Sequence, residues 1–317
     1  MTRTPPFPRS TDRPEDELYR AAWLYYEEGA TQAQIATELE VSRPTVSRLL
    51  AEARRRGIVR ISVVRPPSAM ARGLGEELET RLGLQRVYLA PGSQVNHIGT
   101  GLGGAAGEAI RDMALQPGQV LVLASGQAVH QVVQSVRADL TSVTVVPGVG
   151  GQSEPEPWHQ TNEILRLAAS NLGATPQFLF AQAMPSAGVY RALQEDPSYV
   201  AIKEQWSHAA ACLVGVGAPT ASRTSLASSV PHRHPSLNRA VGDVCLHFYD
   251  AAGNLLEFPG SDRMISIDTG VLRAIPQRVA VAAGVHKARS IAAGAALGFF
   301  NRLVTDEETA RAVLSLP

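Results

Sequence analysis

Short runs of consecutive apolar residues, separated by stretches at helical spacing, recur through most of this chain and limit the folds open to it. Gln119-Val120-Leu121-Val122-Leu123-Ala124 is the clearest, and Ala211 to Val216 and Arg278 to Ala283 repeat the pattern. A strand that is apolar at every position has no face left for water. It belongs inside a parallel sheet, whose neighbouring strands are joined by crossover helices that cover both faces. Gln85 to Ala90, Ser142 to Val146, Gln177 to Phe180 and Asp243 to Tyr249 read as further strands. Helices are expected from Met70 to Leu82, over the Gly/Ala-rich stretch Gly99 to Ala114, and from after Ala128 through Val136. The expectation is a parallel-sheet, Rossmann-like α/β domain over 66–317. Its core is aliphatic, since aromatic residues make up only 5% of the 317.

The residues before this domain follow another pattern. Residues 15–28 begin with acids and place Leu18, Ala21, Ala22 and Tyr25 on one helical face, and Gly29 ends that helix. Thr31 then caps a short second helix with Gln34 as its capping-box partner, and Ile35, Ala36 and Leu39 face inward. Ser42 caps a third helix, with Pro44 in the first turn where its missing N–H costs nothing, and Val46, Leu49 and Leu50 turn inward. Helix, tight turn, helix is the helix-turn-helix arrangement of DNA-binding modules. Thr31, Gln32, Ser42, Arg43, Pro44, Thr45, Ser47 and Arg48 are the candidate DNA contacts, being types that reach phosphates and base edges in a major groove. Ile58 to Val64 reads as a strand forming a winglike edge, with Arg60 free to meet a phosphate. The organisation is therefore a disordered arm (1–14), a winged helix-turn-helix domain (15–65) and the α/β domain (66–317).

Charge supports this division. The whole chain is neutral, yet from Ser42 to Arg65 seven arginines face Glu52 alone. A basic segment on a neutral body is the footprint of a DNA-binding module carried by a different domain. Cys212 and Cys245 lie in apolar stretches with no zinc-like spacing, so they read as buried thiols of a reduced cytoplasm. No metal and no cofactor is implied. No apolar run is long enough to cross a bilayer.

In open parallel sheets ligands bind beyond the carboxyl ends of the strands. Ser125, Gly126, Gln127 and Ala128 follow one strand and offer backbone N–H groups to an anion. Pro147 to Gln152, containing Gly150, Gly151 and Gln152, reads as a mobile loop after another strand. Gly215 and Gly217 end a third. Gly284 ends the last, placing Lys287, one of two lysines, at the start of a helix.

The string T-x-x-x-I-A-x-x-L-x-V-S-x-x-T-V-S-R-L-L, and then A-V-G-D-V-x-x-x-F-Y-D-x-x-G, R-x-I-x-I, L-R-A-I-P, V-A-A-G-x-x-K-A and N-x-L-V-T-D-E-x-T-A in that order, resemble the SorC-type family of sugar-responsive bacterial regulators. The resemblance runs from about Asp16 to the end. It implies an effector domain sharing its fold with ribose-phosphate isomerase and glucosamine-phosphate deaminase. It implies operator double-stranded DNA and a sugar, sugar phosphate or polyol as partners, repression of a carbohydrate operon, and a homo-oligomer (dimer or tetramer). It also places Ser125 to Ala128 at the effector phosphate, Gly150 and Gly151 beside the ligand, Gln160 at the sugar, Asp243 on a hydroxyl, and Lys287 on a phosphate or carbonyl oxygen. Ala128 stands where the family commonly has a hydroxyl, which leaves phosphorylated and free effectors both open. The alternative reading is a sugar-phosphate isomerase-like enzyme, for which Asp243, His130, His286 and Glu257 are candidate bases. His232 and His234 read as a polar loop.

Overall fold

The computed structural model describes residues 13–59, 69–91, 101–220, 230–231 and 233–317. The chain divides into two compact units, Met1–Arg65 and Pro66–Pro317.

In the first unit α1 (Arg13–Tyr26), α2 (Gln32–Glu38) and α3 (Arg43–Arg55) pack around Leu18, Ala21, Ala22, Leu24, Ile35, Val46, Leu50 and Ala53. Helix α1 starts two residues inside the segment expected to be an arm. Tyr25, expected inward, is exposed and stacks edge-on against Tyr26, while Leu24 is buried in its place. A three-helix core has room for an aliphatic side chain there, and the phenol is left with access to water. Leu49 and Ala36 sit half-buried at the rim. Ile58 and Val59 are not extended. They form a bend that packs back on this core, with Val59 N–H donating to Ala53 O at 3.1 Å. The rest of the expected wing, including Arg60, lies outside the described residues, as does His232.

The second unit is α/β, and its larger sheet has seven strands. In chain order it contains α4 (Ala69–Leu82), β1 (Arg86–Ala90), α5 (Gly103–Asp112), β2 (Val120–Leu123), α6 (Gln127–Ser135), β3 (Thr144–Pro147), α7 (Thr161–Leu172), β4 (Thr175–Pro176), α8 (Ala187–Glu195), α9 (Pro197–Ser207), β5 (Ala211–Gly215), β6 (Gly242–Val244), β7 (His247–Tyr249), α10 (Thr269–Ala274), β8 (Gln277–Val281), α11 (Ala288–Ala296), β9 (Arg302–Asp306) and α12 (Glu307–Leu314). The sheet order is β1-β9-β8-β5-β2-β3-β4, with every pairing parallel. Alternate residues of each strand serve opposite faces. Val120, Val122, Cys212, Val214 and Ala280 join one buried cluster, and Leu121, Leu123, Leu213, Val279 and Val281 join the other. Helices α5, α6 and α7 cover the second face. Helices α9, α11 and α12 cover the first, where Trp206 Nε1 donates to the Pro147 carbonyl at 2.7 Å.

Three expectations are corrected. The stretch Asp243 to Tyr249 is not one sheet strand but a separate antiparallel hairpin, β6–β7, with Cys245 (φ 50°) and Leu246 (φ 65°) as its two turn residues. Two positive φ values in succession make the turn that suits strand twist. Gln177 to Phe180 is not a strand. Pairing of this edge stops after Gln177 N–H donates to Val145 O, and Phe180 is 82% exposed. Finally β9, which sequence reasoning did not mark as a strand, lies between β1 and β8.

The topology fixes a crevice. From β2 the chain steps outward through β3 to β4, then returns with β5 on the other side of β2. At such a switch point the loops leaving the two strands diverge and open a space above their carboxyl ends. The loops that open it here begin at Ala124 and Val216.

Candidate functional site

In the first unit the expected contacts divide between helix caps and exposed surface. Thr31 donates its N–H and its hydroxyl to Gln34 Oε1, both at 2.8 Å, and its Oγ1 accepts the Gln34 N–H at 3.3 Å. Ser42 Oγ accepts the Thr45 N–H at 3.3 Å and lies 2.8 Å from Thr45 Oγ1. These hydroxyls hold the starts of α2 and α3. Arg43, Pro44, Ser47 and Arg48 are exposed on α3, with Thr45 and Gln32 half-buried. The tight turn places Glu40 at φ 53°.

A cleft of about 570 Å³ runs along α3, floored by Leu18 and Leu49 and edged by Thr45, Arg48, Glu52 and Arg55. The arginines are not as unopposed as composition implied. Glu52 accepts from Arg55 Nε at 2.8 Å and from Arg56 Nε at 2.6 Å, and these bonds hold its carboxyl down to about 2.

The crevice of the second unit brings together three of the strand-end segments, Ser125 to Ala128, Pro147 to Gln152 and the end of β5 at Gly215. Ser125 and Gly126 leave β2, and Gly126 adopts φ 124°, ψ 156°, a conformation open to glycine, before α6 begins at Gln127. The Gly126 N–H is engaged by the Trp158 carbonyl at 2.8 Å. The donors left to an anion in this loop are those of the first α6 residues, Gln127 and Ala128, which lack i−4 partners by their position. Gly215, at the end of β5, faces the same loop. A Cβ built on it lies 3.9 Å from Ser125 O.

Residues Pro147 to Gln152 are not a free loop. Gly148 N–H donates to Leu123 O, Gly150 N–H to Ile265 O and Gly151 N–H to Ala181 O, each at 2.8 Å. Gly150 is glycine because a Cβ there meets the backbone of residues 181–183 at 2.8 Å. Gln152, beyond this stitched segment, lies near Ser125 and His159. Its Nε2 donates to Ser125 Oγ at 3.4 Å, and its Oε1 lies 2.5 Å from His159 Nδ1. Gln160 gives both amide hydrogens to this loop, to Gln152 O at 2.9 Å and Glu154 O at 2.6 Å. It shapes the loop, and its oxygen lies beside Gly151.

Asp243 is buried on β6. Its Oδ2 accepts the Leu246 N–H at 3.2 Å, and its carbonyl accepts the Gly217 N–H at 2.9 Å, so the hairpin is tied to the loop after β5. Lys287 is half-buried and immediately precedes α11, as expected. Its loop is anchored from β9 and α12: Asp306 Oδ1 accepts the Thr309 N–H, Asp306 Oδ2 accepts the Thr309 hydroxyl, and Thr309 Oγ1 accepts the Gly284 N–H at 2.7 Å. Sequence reasoning missed this anchor and also missed Trp158 and His159. Their only signal was an aromatic pair within a proline-rich connection.

Of the candidate bases, Glu257 and His286 are exposed. His130 is buried against Trp158, which depresses its pKa through desolvation. Cys212 and Cys245 are buried free thiols, and burial pushes Cys212 up to about 12. Among the described residues no cluster of His, Cys, Asp or Glu could hold a metal ion, and no helix is long and apolar enough to cross a membrane.

Comparison with known proteins accounts for both units. A family described as "Putative sugar-binding domain" matches residues 68–315, and the MarR family matches residues 21–66. The sorbitol operon regulator of Klebsiella pneumoniae is 28% identical over 306 residues, covering 94% of this chain and 97% of that one. Transcriptional regulator LsrR of Escherichia coli (strain K12) is 30% identical over 315 residues, covering 95% of each. The crystal structure of full-length SorC from Klebsiella pneumoniae superposes with a TM-score of 0.70 at 27% identity, covering 95% of this chain and all of that one. These relatives are named as transcription regulators, not enzymes, and the isomerase-like alternative is not favoured. The chain belongs to the SorC-type family of sugar-binding transcriptional regulators.

Proposed function

We propose that this chain represses a carbohydrate catabolic operon by binding operator DNA through the α3 face of 15–65, and that a sugar, sugar phosphate or polyol in the crevice of 66–317 controls it. The observation that carries this reading is the meeting of the Ser125–Ala128 segment and the Asp243 hairpin at the sheet's switch point, in a chain that also holds a capped helix-turn-helix. Thr31, Gln32, Ser42, Pro44 and Thr45 set the docking of α3, and Arg43, Ser47, Arg48 and Arg60 reach phosphates and base edges. In the crevice Ser125, Gln127, Ala128 and Lys287 receive the more anionic end of the ligand. Gln152, Gln160 and Asp243 meet its hydroxyls, Gly151, Gly215, Gly217 and Gly284 let the backbone approach it, and Gly150 holds the crevice wall against residues 181–183. Control requires two states that contact the effector differently, and paired modules whose spacing matches two half-sites. The protein therefore works as a homo-oligomer, a dimer or tetramer, in the cytoplasm.

A thermal-shift panel of free sugars, polyols and their phosphates tests the crevice, since a ligand that binds only the native state raises Tm by mass action. Arg48→Ala should weaken operator binding and leave the effector shift intact. Asp243→Asn, which keeps an acceptor for Leu246, and Lys287→Ala should do the reverse. Loss of both activities in a folded Arg48→Ala protein contradicts the assignment.

A further inference from the structure

We propose that His159 is a positioning residue that fixes the Ser125 hydroxyl as a hydrogen-bond donor toward the effector; this rests on the effector reading above. His159 is buried, 6% exposed, at the end of the 3-10 turn Pro157–His159 that precedes α7. Its carbonyl accepts the Gln152 N–H at 3.3 Å, so backbone and side chain both hold Gln152. An amide has one accepting end and one donating end. With Gln152 Oε1 only 2.5 Å from Nδ1, that ring nitrogen carries a hydrogen, because two lone pairs do not approach so closely. The amide nitrogen then faces Ser125 and donates to Oγ. A hydroxyl oxygen that already accepts keeps its own hydrogen for a partner outside the relay. Ser125 follows β2 at the switch point, where that hydrogen is available to an acceptor on the effector, such as a phosphate oxygen or a sugar hydroxyl. The rest of the loop is pinned for this purpose. Gly126 N–H holds the Trp158 carbonyl, and the Trp158 ring packs edge-on against buried His130.

Nitrogen-15 NMR of histidine-labelled full-length protein, with His159→Phe to assign the signal, should show a proton on His159 Nδ1 without any ligand. A ring protonated on Nε2 alone means the Gln152 amide is reversed and the Ser125 hydrogen consumed, which overturns the relay. Binding is read by thermal shift with inorganic phosphate and with D-sorbitol, the two sources of such an oxygen. For the probe that binds, His159→Phe and Ser125→Ala should each weaken affinity about tenfold, the worth of one hydrogen bond. The double variant should lose about tenfold in total, since both changes break one chain. His159→Asn, which retains a donor near Nδ1, should stay within about threefold of the parent protein, whereas a merely structural loss would not be rescued. Additive, about hundredfold, loss overturns the relay while leaving the crevice as an effector site. A parent protein stabilised by neither these probes nor the wider panel overturns the crevice reading, with the tautomer still deciding the polarity of the chain.

Discussion

The helix starts of the first unit and the crevice of the second are held in place by opposite means. Thr31 and Ser42 secure α2 and α3 with their own side chains, each bonding a partner three residues ahead. In the crevice main-chain hydrogen bonds join distant segments, from Gly150 to Ile265, Gly151 to Ala181 and Gly217 to Asp243, and the side chains of Gln152, Gln160 and Thr309 bridge others. A cap lost from the first unit removes one bond and little else. In the second, a single added methyl group meets backbone that has nowhere to go. The exposed surface of α3 can thus vary while the fold survives, whereas the crevice tolerates change only where side chains project into it.

The sharpest way to break this comparison is Gly150→Ala. Its new Cβ would lie 2.8 Å from backbone atoms of residues 181–183. We expect a loss of about 3 kcal/mol, the upper end for overpacking, read by chemical denaturation of the full chain. Gly104→Ala in α5 is the control, since a Cβ there meets nothing within 4 Å. Helix propensity predicts a gain of about 0.5–1 kcal/mol for it. A Gly150→Ala protein within about 1 kcal/mol of the parent would show that the stitched segment can yield.

The pH dependence of the second unit comes next. His247, in β7, is half-buried with its Nε2–H donating to the Ile267 carbonyl at 2.8 Å. Desolvation depresses its pKa below the ordinary 6.5. Arg273 adds to that effect, while the Ile267 bond, Asp268 and Asp243 oppose it. His130 is shifted the same way by burial, with Glu163 opposing. A base with a lowered folded pKa leaves the unfolded chain binding more protons. Stability is then full above pH 6.5 and falls as the pH drops below it, by at most about 1.4 kcal/mol per pH unit for each group. Melting temperatures followed from pH 7.5 down to 5 should decline more steeply in the parent than in His247→Gln. Parallel curves would assign the decline to other groups.

The local code of the first unit made it legible from sequence. A capping residue, its partner three positions on and a proline in the first turn lie within a few residues of each other, so Thr31, Gln34, Ser42 and Pro44 announce their own structure. The buried strands β2, β5 and β8 were legible because both faces of the sheet are covered and their apolar runs are unbroken. β9 was not, because it ends in Thr305 and Asp306, polar residues whose burial no local pattern signals. The β6–β7 hairpin was read as one strand because its turn is Cys245-Leu246 rather than the Asn, Asp or Gly that usually marks positive φ. Ser125 and Gly126 announced themselves as a glycine turn after an apolar strand. Gln152 and His159 did not, because their relation exists only once the connection before α7 closes on itself.

A smaller effect separates caps from bulk stability. Ser42→Ala should cost about 1 kcal/mol, the ordinary worth of an N-cap, and Ser42→Asp should recover most of it. Amide hydrogen exchange would show the loss in α3, while amides of β2 and β5 keep their protection. A loss spread over both units would mean that the cap serves more than the helix start it bonds.

The smallest effect bears on how the first unit's helices hold one another. Arg20 of α1 and Glu38 of α2 form an ion pair at 3.2 Å, with both side chains about half exposed (49% and 47%). Water and salt screen such a pair, and ordering two long side chains offsets what attraction remains. A double-mutant cycle with Arg20→Ala and Glu38→Ala should give a coupling of about 0.2–0.5 kcal/mol in low salt, fading toward zero near 1 M salt as the Debye length shrinks to about 3 Å. A coupling well above 1 kcal/mol would place part of the α1–α2 association in electrostatics. The expected value leaves it with Leu18, Ala21, Ala22 and Ile35, whose burial holds the helices together whatever the salt.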